Sequence, residues 1–211
     1  MKSRTAQPPA ASPGRKTFHG LYRLLQVLFW GGAIVFIAFF IRDLWISLKP
    51  ESAFSAEKGI AHWAFTVHLS DTMKTSVLVP FTLFQPINPS MFSPKAAYVV
   101  SQLTVIITGF ATYLYSIWQI RHIIGSIRNG ETPFQSVNVL RLKRLGIVLI
   151  LHAVFSKLIL NILCWLLVNH IFSINLGGIS LIGILTGMLV LVIAEVFRHG
   201  VLLQEEHDTT I

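Results

Sequence analysis

The sequence predicts an all-α integral membrane protein: four transmembrane helices in a four-pass bundle, with a long outer loop between the first and the second. Three observations carry that prediction. The 211 residues are 53% hydrophobic and only 12% charged, about half the charged fraction of a soluble domain. Four apolar stretches approach or exceed the roughly 20 residues that cross a bilayer. The basic residues gather in two of the intervening segments and leave the others nearly neutral. Such a composition excludes a water-soluble globular enzyme, and it excludes a disordered chain, which needs low hydrophobicity.

Residues 1–20 read as a disordered basic cytoplasmic tail, because Pro8, Pro9, Pro13 and Gly14 sit among small polar residues. The first apolar run, Leu24 to Ile41, has 18 residues without a charge. It is longer than the core of a signal peptide and no small-x-small cleavage site follows it, so it predicts an uncleaved helix over 21–47. Residues 48–95 contain Pro50, Pro80, Pro86, Pro89 and Pro94 and predict a small extramembrane cap rather than an independent domain. Within that loop Thr75–Phe84 is β-prone, with Pro80 confining it to an edge strand or an extended segment. Ala53–His68 reads as a short helix.

Ala96 to Ile120 holds 25 residues without a charge and forms the second helix. Ile120, Ile123, Ile124 and Ile127 keep helical spacing and carry it to 129, where Gly130 stops it. A loop over 130–144 follows. In it Thr132, Pro133 and Gln135 have the spacing of a capping box, with Ser136 a rival cap. The third helix covers 145–169, a turn contains Asn175, Gly177 and Gly178, the fourth helix covers 178–200, and 201–211 is a tail.

Charge orients this layout. Lys2, Arg4, Arg15, Lys16 and Arg23 precede the first helix with no acid among them. Arg121, Arg128, Arg141, Lys143 and Arg144 face Glu131 alone between the second and third. The 48–95 loop balances Lys49, Lys58, Lys74 and Lys95 against Glu51, Glu57 and Asp71. Both basic segments fall on one side, as four crossings require, so the termini are expected in the cytoplasm and the long loop outside. The net charge of +8 is then a topology signal, and no direct nucleic-acid partner is expected. Cys164 is the only cysteine, which excludes an intrachain disulfide and a cysteine-based metal site.

Chemistry within the membrane is sparse. Lys157 falls near the middle of the third helix, where an ammonium costs about 3 kcal/mol unless it finds a partner or reaches water. Glu195 in the fourth helix is the candidate partner, and Asn161 stands one turn from Lys157. The pair reads either as an ion- or proton-linked site or as a device that sets helix register. His152 and Ser156 form a second polar patch. His62 and His68 lack a helical ligand spacing, and no H-E-x-x-H or H-x-x-x-H occurs. No metal or cofactor is expected. Ser101, Thr104, Thr108, Thr112, Tyr115 and Gln119 line the second helix, reading first as a packing face with hydroxyls bonding across to a neighbour, and second as a solvated pathway. Gly183 and Gly187 form a G-x-x-x-G, a face for a neighbouring helix or for a second copy of the chain. Phosphate loops, nucleophile elbows, dinucleotide fingerprints and an inverted repeat are all missing.

The strongest local signals lie in the basic loop and the tail. One runs Gly130-Glu-Thr-Pro-Phe-Gln-Ser-Val-Asn138 and on to Arg141-Leu-Lys-Arg-Leu-Gly146. The other runs Glu195-Val-Phe-Arg-His-Gly200 and on to Leu203, Glu206, Asp208, Thr210 and Ile211. Here the chain resembles a family of bacterial membrane proteins, the domain of unknown function 2975 family. Its pattern is a G-x-T-P-F-type loop before the third of four helices, an N-x-x-R-L segment entering that helix, and an ending close to E-V-F-x-x-G-x-x-L-x-x-E-x-D-L-T-I. Gln135 stands where that pattern has Ser or Thr, and Thr209 where it has leucine. The resemblance implies the bacterial inner membrane. It also implies a regulatory association, since members are often encoded beside small helix-turn-helix regulators.

The expected function is therefore a non-enzymatic sensor or regulatory accessory subunit in contact with the bilayer. It would act through Pro133, Phe134, Asn138, Arg141, Lys143, Arg144, Glu205, Glu206 and Asp208. Phe134 would seat at the membrane interface or the base of the bundle. The tail acids would clasp the loop bases, with anionic lipid competing for them. The alternative is a small transporter or ion-coupled permease using Lys157 and Glu195.

Overall fold

The computed structural model describes residues 13–70, 72–81, 83–84, 91–171 and 176–209, with only the backbone described for 13–16 and 208–209. Four helices are long and apolar enough to cross a membrane, and the protein is a multi-pass membrane protein. The first, α1, runs Pro13–Ser47. Residues 1–12 of the expected tail lie outside the described residues, but 13–20 are helical, and Pro13 suits a first helical turn. Pro94–Arg128 forms α2, and the Ser93 hydroxyl caps it by accepting the Ala96 N–H at 3.2 Å. Ser136–Cys164 forms α3, which continues through a π-helical turn at Trp165–Asn169 and ends at His170, whose φ of 53° is left-handed. Leu181–Thr209 forms α4, so 201–209 extend the helix instead of leaving it as a separate tail.

These helices form a row rather than a closed bundle. The extensive contacts run from α1 to α2, from α2 to α3 and from α3 to α4. The most apolar windows of α2 and α3 are accordingly 28% and 22% buried, against 6% and 11% for α1 and α4 at the ends of the row.

The long loop carries a three-stranded antiparallel sheet. Its strands are β1 (Phe54–Lys58), β2 (His62–His68) and β3 (Lys74–Pro80), in that order across the sheet. This overturns the short helix expected over Ala53–His68. The reason is a period of two: Trp63, Phe65 and Val67 alternate along β2 and all three are buried. Pro80 closes β3 at the free edge of the sheet, where its missing N–H removes no ladder bond.

The buried face of the sheet packs on Ala97 and Tyr98 of α2 and on Leu160, Cys164 and Val168 of α3. Trp63, Phe65, Phe84 and Phe92 meet there mostly edge to face, with centroids 4.9–6.3 Å apart. That is the favoured aromatic geometry. Asn161, also buried, donates from Nδ2 to the Leu83 carbonyl at 3.0 Å. The start of α4 lies well before the end of α3, which lets α3 reach this layer. The Ser180 N–H donates to the Ala153 carbonyl at 3.1 Å, so α4 begins beside Ala153. From there α3 continues to Asn169, roughly 24 Å further at 1.5 Å per residue.

Candidate functional site

The loop after α2 and the far end of α4 meet at the basic end of the molecule. Gly130 has a φ of +91°, which only glycine takes without strain, and it turns the chain out of α2. The Thr132 hydroxyl accepts the Phe134 N–H at 3.2 Å and donates to Gln204 Oε1 at 3.1 Å. It therefore shapes the loop and joins it to α4 instead of capping a helix. Ser136 is the first residue of α3, and Gln135 stands at the N-cap without a side-chain bond, so neither expected cap is used.

Phe134 lies flat against Gly200, so closely that a Cβ at 200 would overlap the ring. Its centroid is 5.3 Å from that of Phe197. Asn138 is fully buried. Its Nδ2 donates to Ser126 Oγ at 3.1 Å and to the Pro133 carbonyl at 3.2 Å, and its Oδ1 accepts from Arg141 Nη1 at 2.9 Å. Arg141 Nη1 also lies 3.3 Å from the His122 carbonyl. Gly130, Pro133, Phe134, Asn138, Arg141, Phe197 and Gly200 thus belong to one junction between α2, α3 and α4.

The remaining charges go elsewhere. Glu195 pairs with Arg198 one turn along α4 and with Lys143 at 3.8 Å. Lys157 is not its partner. The α3–α4 register is set by close backbone approach: a Cβ on Gly146 would meet the Gly187 carbonyl at 2.9 Å, and one on Gly183 would meet the Ala153 Cβ at 2.7 Å. That register puts Glu195 beside Lys143 and leaves Lys157 about 21 Å further along α3. Lys157 is exposed. With His152, Ser156, Gly178 and Ser180 it lines a cleft of about 320 Å³ where α4 begins. The Gly183–Gly187 face is consumed by α3 and is not offered to a second copy.

Among the described residues Arg141 and Lys143 are engaged by Asn138 and Glu195 rather than by acids of the tail. Arg144, Glu205 and Glu206 are exposed, Glu205 lining a small cleft with Thr132 and Phe134. The side chain of Asp208 lies outside the described residues. Along α2 the hydroxyls of Thr104, Thr108 and Ser116 bond backward within the helix, to the Val100 carbonyl at 2.6 Å, to Thr104 at 2.7 Å and to Thr112 at 2.7 Å, whereas the Tyr113 hydroxyl donates across to the Leu28 carbonyl of α1 at 3.1 Å.

Sequence reasoning missed two features. Asp43, near the sheet end of α1, is only 2% exposed. Arg42 Nε and Nη2 reach its Oδ1 at 2.9 and 2.7 Å, while Oδ2 is buried without a hydrogen-bond partner among the described residues. The adjacent Arg-Asp at the end of an apolar run was the available signal. The second feature is at the basic end, where Arg128 lies 4.0 Å over the Tyr22 ring and Arg121 lies 5.3 Å over the Phe29 ring. Their seven-residue spacing puts them on one face of α2.

No curated protein and no solved structure matches the chain. The family described as protein of unknown function (DUF2975) matches residues 87–211. That span takes in α2, α3 and α4 and every residue of the loop–α4 junction, and it leaves out α1 and the sheet. With more than half of its length matched, the chain belongs to that family.

Proposed function

We propose that the protein is a non-enzymatic sensor or regulatory accessory subunit of the bacterial inner membrane, with both termini in the cytoplasm. It acts through the 130–135 loop, the first turns of α3, which were expected as loop up to 144, and the end of α4. The observation that carries this reading is the seat of Phe134 on Gly200. An aromatic ring with 40% of its surface exposed is held by a bare glycine, by Phe197 and by one neighbouring Thr132–Gln204 bond. Contacts of that kind are worth about 1 kcal/mol each, so a partner that binds Phe134 can open the junction. The basic residues on both segments of that side support the cytoplasmic orientation.

The test is cross-linking of the N-terminally tagged protein in native membranes, with and without residues 203–211. A stoichiometric partner that disappears on truncation, while the helices stay folded, is the expected result. Self-cross-links alone, or a partner retained by the truncated protein, would overturn the reading.

A further inference from the structure

At the basic end, α1, α2 and α3 enclose a pocket of about 470 Å³, within the roughly 300–1,000 Å³ range of small-ligand sites. Arg121 and Arg128 enter it from α2 and Arg141 from α3, with Tyr22 of α1 and His122 on its wall. Among the described residues no carboxylate bridges any of the three guanidinium groups. Glu131 is the acid on the lining, and it is exposed.

Each guanidinium is instead positioned by an uncharged partner. Tyr22 and Phe29 lie under Arg128 and Arg121, and ring faces take up neither the charge nor the in-plane N–H donors. Arg141 is oriented through Nη1 alone, by Asn138 and the His122 carbonyl, which leaves Nη2 and Nε outside the described bonds. Planar forks held this way match the oxygens of a phosphate.

The depth agrees with that chemistry. Arg121 is the first charge after the 25 uncharged residues 96–120, so the pocket opens where the apolar span ends and lipid phosphates begin. Basic pockets between transmembrane helices at this level recognise anionic headgroups. We infer that the pocket formed by Arg121, Arg128 and Arg141 with Tyr22 binds a phosphate ester, of the kind carried by an anionic phospholipid headgroup. The inference does not rest on the regulatory reading and survives its failure.

The experiment uses the full chain in neutral detergent. It follows thermal stability and bound phosphorus on titration with phosphatidylglycerol, with phosphatidylcholine as the zwitterionic control and glycerol phosphate as the soluble ester. Wild type should respond saturably to phosphatidylglycerol and not to phosphatidylcholine. Arg121→Gln with Arg128→Gln should raise the half-saturating concentration about tenfold or more. Lys58→Gln with Lys74→Gln, two exposed lysines of the sheet outside the pocket, should leave it unchanged. Because charge removal can disturb folding, Val137→Trp supplies a second variant that fills the pocket and keeps every arginine. It should lose the response while its unliganded melting point stays near wild type. A response to glycerol phosphate at similar concentrations identifies a soluble ester as the natural source, and a response to phosphatidylglycerol alone identifies a lipid. Equal responses to both lipids with none to glycerol phosphate would overturn the inference. So would variants that titrate like wild type.

Discussion

Trp63, Phe65, Phe84 and Ile46 at the sheet end have no exposed surface, whereas Phe134 at the basic end keeps 40% of its own. The first region is one continuous core in which strands, α2 and the far end of α3 share buried rings. The second has a buried polar hub at Asn138, but its outer face is held by few contacts: a ring on a glycine, one hydroxyl on one amide, and arginines lying on aromatic faces. Burial is additive and hard to undo locally, while isolated polar and edge contacts open at low free energy. The protein therefore joins an end closed by one continuous core to an end whose outer contacts are few and partly exposed.

Trp63→Ala puts that contrast to its hardest trial. Emptying the site of a fully buried tryptophan costs about 3–5 kcal/mol. Thermal unfolding of the full chain in detergent should record a loss far larger than that for Phe134→Ala, with new proteolysis in 54–80 and none at 130–135. Equal losses at the two ends would erase the distinction.

Arg42→Ala comes next. It strands the buried Asp43 carboxylate and should destabilise the protein by about 3 kcal/mol. The double change Arg42→Met with Asp43→Leu should recover most of that loss, because it removes the charge along with its partner. Failure to recover would mean that the pair does more than neutralise itself.

At the other end the expected effects are small. The Lys143–Glu195 pair has both side chains more than 40% exposed, so a double-mutant cycle should give a coupling of about 0–1 kcal/mol. The same cycle on Lys157 and Glu195 should give none, and a measurable value there would contradict the α3–α4 register. Gly200→Ala should change global stability least of all, by less than about 1 kcal/mol. Its Cβ displaces the Phe134 ring, so amide exchange at 130–135 should quicken while exchange in the sheet stays unchanged.

The legibility of these regions follows the range of the interactions that build them. The α2 span and the apolar parts of α3 and α4 could be read from hydropathy, but Ser136–Arg144 and 201–209, expected as loop and tail because they are charged, are helical. Gly130, Pro133 and Asn138 stood out in a compact motif. Asn138 owes its importance to burial against Ser126 and Pro133, and Phe134 to a glycine 66 residues further on. The sheet was legible only at its edge, where β3 falls on the β-prone Thr75–Phe84; Ala53–His68 reads as a short helix, although the alternation of Trp63, Phe65 and Val67 is present in it. Glu195 was assigned to Lys157 because both were rare intramembrane charges, and scarcity says nothing of helix register.

From the residues alone came the number of crossings, their rough bounds and the gathering of positive charge at one end, because hydropathy and charge density are local properties of a segment. Tertiary structure decided the open row of helices, the partner of Glu195, the seat of Phe134 and the convergence of Arg121, Arg128 and Arg141. Each depends on the depth at which two helices pack, and small residues such as Gly146, Gly183 and Gly187 set that depth through backbone approach that no single segment contains.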